Sequence, residues 1–113
     1  MLESLPPKTC SIERLITNPA DVQRVLSGSK TATRRNGRYA DAGEIMVLEG
    51  HPFEVTRVYQ QRLSEMTEED FQKEGFRSKT EYLSYIQSLH GKMPMPALMD
   101  QEVWVHEFSP AQI

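Results

Sequence analysis

Two stretches of strand-like alternation, "FEVTRVYQ" at Phe53–Gln60 and "EVWVHEF" at Glu102–Phe108, flank a block of helical pattern, and that separation limits the fold more than any other feature. A strand arriving so late in a chain is expected to close a sheet begun much earlier. In the first stretch Phe53, Val55, Arg57 and Tyr59 share one side, and Glu54, Thr56, Val58 and Gln60 the other. Neither side is purely apolar, as in strands near the mouth of a barrel. In the second, Val103, Val105 and Glu107 alternate with Glu102, Trp104, His106 and Phe108.

Local signals fill in the rest. "SIERLI" has the β-branched character of a short strand. Asn18 caps a helix whose first residue is Pro19, with Val22, Val25 and Leu26 on one face and Gly28 just past its end. "TATRR" reads as a strand running into Asn36-Gly37, a pair suited either to a hairpin turn or to an irregular loop before the next strand, Glu44–Leu48. Thr67 and Asp70 open a short helix that Gly75 stops. Ser78 and Glu81 form a capping box for a longer helix, with Tyr82, Leu83, Ile86 and Leu89 as its buried stripe and Gly91 as its end. Met93, Pro94, Met95 and Pro96 mark a loop. The pattern is α+β, with a mainly β core and helices inserted between strands.

A chain of 113 residues makes one domain, here residues 11–113, preceded by a proline-containing segment, residues 1–10, expected to fray. A single cysteine, Cys10, suits a reducing compartment. No apolar run approaches the roughly 18–20 residues of a membrane span, and "MLESLPPKTC" lacks the features of a signal peptide, so a cytoplasmic protein without a membrane partner is expected. Thirteen Lys and Arg against sixteen Asp and Glu give a net charge of −3, which excludes indiscriminate adhesion to nucleic acid or anionic lipid. Any anion site must be local.

Several chemistries lack their residues. His51, His90 and His106 are scattered and no cysteine or histidine falls at metal-ligand spacing, so neither a zinc site nor another cofactor is expected. His90 decorates a helix end and His106 reads as a satisfied strand residue. Trp104 and Phe108 have strand spacing typical of a core, and Met93, Met95 and Met99 suit a pliable packed loop.

Within "GSKTATRRNGR" stand Lys30, Arg34, Arg35 and Arg38, beside the hydroxyls of Ser29, Thr31 and Thr33. Composition alone leaves three readings open: a solvated edge strand, a phosphate-gripping patch, or the polar floor of a catalytic pocket. The surrounding "VLSGSKTATRRNGRYADAGEIMVL" resembles the signature of the ASCH domain, through Val25, Leu26, Gly28, Lys30, Thr31, Thr33, Arg35, Gly43 and Glu44. The resemblance extends through "VTRVYQQRLSEMTEEDFQKEGF", "KTEYLSYI" and "VWVHEF", over residues 11–108.

That resemblance implies a PUA-like, mainly antiparallel β-barrel with helices inserted between strands, and a cleft lined by the Gly-x-Lys strand. It further implies kinship with small bacterial amidohydrolases that remove the acetyl group of N(4)-acetylcytidine, whose active lysine, threonine and glutamate fall here on Lys30, Thr33 and Glu74. Thr33 would be the nucleophile, Lys30 its base and Glu74 the acid for the leaving nitrogen, with Arg35 steadying the oxyanion or the substrate. Because residues three apart on a regular strand face opposite sides, this scheme requires Lys30 to lie in the turn after the helix. The alternative is a PUA-like RNA-binding module, with Lys30, Arg34, Arg35 and Arg38 on phosphates and Tyr59 or Trp104 stacking a base. The implied ligand is a modified nucleoside, a small nucleotide-like molecule or RNA. The Met93–Asp100 segment is longer than expected in the smallest such deacetylases and is placed to reshape or cover the cleft.

Overall fold

Helix α1 (Pro19–Leu26) starts with two devices: the Asn18 side chain accepts a hydrogen bond from the Ala20 N–H at 2.8 Å, and Pro19 at the first helical position has no N–H to leave unpaired. The computed structural model describes residues 11–111 except 90 and 92. After α1 come β1 (Ala32–Arg35), β2 (Ile45–Leu48), β3 (His51–Arg62), α2 (Glu68–Lys73), α3 (Lys79–Leu89), α4 (Met95–Met99) and β4 (Glu102–Pro110). Cys10 and the rest of residues 1–10, His90 and the Leu89 side chain lie outside the described residues.

The strands form one antiparallel sheet in the order β1-β4-β3-β2, curled into half a barrel. The last strand is therefore a central one that joins β1 to β3, as a strand closing a sheet begun earlier must. Val103, Val105, His106 and Phe108 are all buried, as a strand with neighbours on both edges and packing on both faces requires. A register shift between Val55 and Arg57 bends β3 and adds to the curl.

Each face of the sheet carries its own core. Phe108 joins Leu15, Ile16, Val25, Met46, Leu48 and Phe53 on the α1 side. Val103, of opposite parity on the same strand, joins Leu63, Phe71, Phe76, Tyr82 and Leu98 beneath α2, α3 and α4.

Two local expectations give way and one open alternative is decided in favour of the irregular loop. "SIERLI" is not a strand but a 3-10 turn, Ile12–Arg14, because Leu15 and Ile16 are both buried in the same core and a strand would turn them to opposite faces. Asn36-Gly37 turns no hairpin, since β1 pairs with β4. The hairpin lies between β2 and β3, where Glu49 and Gly50 take φ of 48° and 81°, the double positive that a two-residue turn of this hand demands. Met93–Pro96 leads into α4, with Pro96 tolerated in its first turn and Leu98 driven into the core.

Helix α2 holds the most consequential stop. Thr67 and Asp70 cap its start reciprocally, and the chain leaves it through Gly75 at φ +90°, where an added Cβ would lie 3.0 Å from Arg24 Cδ and 3.4 Å from Lys30 Cβ. Gly75→Ala is expected to cost about 1–2 kcal/mol from the left-handed backbone alone, read as a lower urea midpoint at unchanged m-value.

Candidate functional site

The Arg24 carbonyl, in the last turn of α1, gathers the segment that carries Lys30. It accepts from the Ser29 and Lys30 N–H groups at 2.9 and 3.1 Å, and from the Ser27 and Ser29 hydroxyls at 3.1 and 3.2 Å. Lys30 consequently sits in the turn, ahead of β1, and Thr31 N–H ties the same segment to the Lys73 carbonyl at 2.7 Å. The Arg24 side chain reaches the other way, donating to Asp21 at 3.0 Å and covering the Phe76 ring at 5.5 Å.

Where α1 and α2 meet, the charges close on each other. Lys30 Nζ donates to Glu74 Oε1 at 2.9 Å and to the Glu74 carbonyl at 3.2 Å, and Arg34 Nη1 donates to Glu74 Oε2 at 2.6 Å. A cation at the C-terminal carbonyls of α2 also favours the helix dipole. Lys30, Arg34 and Glu74 are all nearly withdrawn from water. Arg34 is held further by Gln61 Oε1, at 3.1 Å from Nε and 2.7 Å from Nη2, and by Asp70 at 3.6 Å. Burial acts to raise the Asp70 carboxyl, but the Thr67 N–H, the Arg34 charge and Gln61 outweigh it and hold it below its ordinary range.

Thr33 and Arg35 complete the polar floor. The buried Thr33 Oγ1 accepts from Arg35 Nη1 at 3.0 Å, while the same guanidinium donates to the Arg34 carbonyl at 2.7 Å and to the Leu15 carbonyl. Above this floor opens a cavity of about 330 Å³ to which Lys30, Thr33, Arg34, Arg35 and Glu74 all contribute. Its apolar wall comes from Phe76, Tyr82, Tyr85 and Ile86, and its rim includes Asn18, Asp21 and Asn36. Leu98 of α4 and Gln101 also line it, so the Met93–Asp100 segment forms part of the wall.

Three residues singled out in the sequence lie elsewhere. Arg38 stacks over Trp104 at 5.9 Å and pairs with Asp41 at 3.0 Å, and neither ring nor guanidinium lines the cavity. Tyr59 donates to Glu107 at 3.3 Å with Arg57 over its ring at 4.2 Å, also away from the cavity. Conversely, Arg24, Gln61 and Tyr82 hold or line the site without having been marked as functional. Tyr82 was legible only as part of an apolar stripe, and Asp70 only as a cap.

Among the described residues no group of three or more His, Cys, Asp and Glu is placed to hold a metal ion, and no helix is long and apolar enough to cross a membrane.

No protein-family model matches the chain, and no curated protein matches it. Solved structures do. A structure described as an ASCH domain from Lactobacillus crispatus JV V101 superposes with a TM-score of 0.66 at 14% identity, over 80% of this chain and 70% of that one. A protein from Enterococcus faecalis V583 assigned to the family DUF984 superposes with a TM-score of 0.59 at 19% identity, over 97% of this chain and 79% of that one. At these identities the likeness is one of fold: the chain shares the α+β fold of that ASCH-domain structure.

Beside Thr33 in the sheet register stands His106, fully buried, its Nε2 accepting from the Tyr39 N–H at 3.1 Å. That bond places the ring proton on Nδ1 and holds the neutral form. Burial pushes the imidazole down to about 4; the Thr33 and Trp104 backbone oppose the shift and the Arg35 charge adds to it. A depressed folded value means the group's contribution is complete above the unfolded value near 6.5 and is lost as pH falls toward 4, up to about 3 kcal/mol in all. Urea unfolding across this window should show that loss, and His106→Gln should flatten it.

Proposed function

We propose that this chain is a cofactor-independent amidohydrolase that removes the acyl group from N(4)-acetylcytidine or a related modified nucleoside, working in the cytoplasm. The observation that carries the reading is the convergence of Lys30, Thr33 and Glu74 on one cavity, with Lys30 in the turn, as nucleophile and base must be arranged. At about 330 Å³ the cavity is at the small end of ligand pockets, a size for one nucleoside rather than a stretch of polymer.

The Lys30–Glu74 contact contains the proton that the chemistry needs. Moved from Nζ to the carboxylate, it turns an ion pair into a neutral amine and a carboxylic acid. The amine takes the Thr33 hydroxyl proton as Oγ1 bonds to the acyl carbon. The acid gives its proton to the exocyclic nitrogen as the carbon–nitrogen bond breaks. Lys30 is left as ammonium and Glu74 as carboxylate, the starting charges. Water, deprotonated by Glu74, then attacks the threonine ester; the carbon–Oγ1 bond breaks, the acyl group leaves as the carboxylic acid, and Glu74 passes its proton to Oγ1. Arg35, already donating to that oxygen, stabilises it whenever it carries charge.

The RNA-module reading has less support. Lys30 and Arg34 direct their charge to Glu74, and Arg38, Tyr59 and Trp104 stand away from the cavity. Purified protein incubated with N(4)-acetylcytidine should release cytidine. Thr33→Val, which keeps the branched shape and removes only the hydroxyl, should abolish turnover with the fold intact by circular dichroism. Glu74→Gln should lower turnover on the order of 10²-fold or more. If phosphate gripping were the function instead, RNA affinity would fall steeply with salt, flatten by about one unit of slope in Arg38→Ala, and ignore Thr33→Val.

A further inference from the structure

Tyr82 is the buried polar group on the cavity wall that these steps leave without a task. It is 2% exposed, and its ring is fixed by Phe71 at a centroid distance of 5.6 Å and Phe76 at 5.2 Å, so the hydroxyl at its tip is held in place. Among the described residues none accepts a hydrogen bond from that hydroxyl. Among the described residues it does not belong to the fully enclosed polar atoms that lack a partner, so it opens onto the cavity, where a ligand can supply the acceptor.

The hydroxyl remains a donor. Burial raises the phenol far above its ordinary range, Glu74 raises it further, and the Arg34 and Arg35 charges only partly oppose them. All three charged neighbours line the cavity with Tyr82.

We propose that Tyr82 is a specificity residue of this cavity, its hydroxyl donating to the ring carbonyl of a pyrimidine base that lies against Phe76 and Tyr85. The inference rests on the amidohydrolase reading and narrows its substrate class to aminopyrimidines that carry a ring carbonyl. In such a base the exocyclic nitrogen and the carbonyl flank a single ring nitrogen. One wall can therefore hold both the acid for the first, Glu74, and the donor for the second. A site built to donate to a carbonyl discriminates sharply against a ligand lacking it, because the hydroxyl then stays unpaired.

Calorimetric titration with cytosine and with 4-aminopyrimidine, which differs by the absent ring carbonyl, tests this directly. The wild type should prefer cytosine by about tenfold or more, and Tyr82→Phe should lose the preference by weakening cytosine alone. Its melting temperature should stay close to the wild type's, since the hydroxyl has no protein partner to lose. With N(4)-acetylcytidine the loss should fall on KM rather than on kcat. A wild type indifferent to the carbonyl, or a Tyr82→Phe protein that keeps the preference, overturns the inference while deacylation by the wild type leaves the functional reading standing. A wild type that neither deacylates N(4)-acetylcytidine nor binds cytosine overturns both.

Discussion

One carboxylate shared by two cations, almost out of reach of water, is the contact on which the rest of this structure depends. Lys30, in the turn between α1 and β1, and Arg34, in β1, each donate to one oxygen of Glu74. Such a group adds little net stability, because desolvating three charges offsets most of their attraction, yet removing one partner is severe since the others stay buried without compensation. Its effect is on geometry. It fixes the end of α2 against the start of the sheet, and the cavity is the space bounded by that union.

The two cores explain why a cavity is possible at this place. The sheet separates them completely along β3 and β4, but β1 is only four residues long and forms the sheet's edge. Beside that edge the cavity takes its lining from the start of α1 and from α3 alike. Polar residues from the turn and from β1 therefore stand between aromatic side chains on one side and the start of α1 on the other. Charge at the floor and rings along the wall follow from where the sheet ends.

What could be read from the sequence was what neighbouring residues decide among themselves. Asn18 with Pro19, Thr67 with Asp70, and Gly75 announced helix ends because capping acts within a single turn. Lys30 in the turn was a requirement of the catalytic scheme that the resemblance implied, not a reading of local pattern. Sheet order could not be read, since nothing in "EVWVHEF" says which strands will flank it. Nor could the position of the cations: a guanidinium reaches far from its Cα, so Arg34 enters the site while Arg38, four residues on, settles against Trp104. Leu15 and Ile16 misled for another reason, since β-branched and aliphatic residues serve a buried turn as well as a strand.

The strand order has a consequence for how the site comes into existence. β1 pairs with no strand but β4, and β4 is the last element in the chain. During synthesis the β2–β3 hairpin can assemble from adjacent residues, but the strand bearing Thr33 has nothing to pair with until residues 102–110 have emerged. Val103, which lines the cavity, arrives with them. The nascent chain therefore carries Lys30, Arg34 and Arg35, and later Glu74, without a pocket to put them in, and the constellation is completed only when β4 slots between two strands that are already waiting.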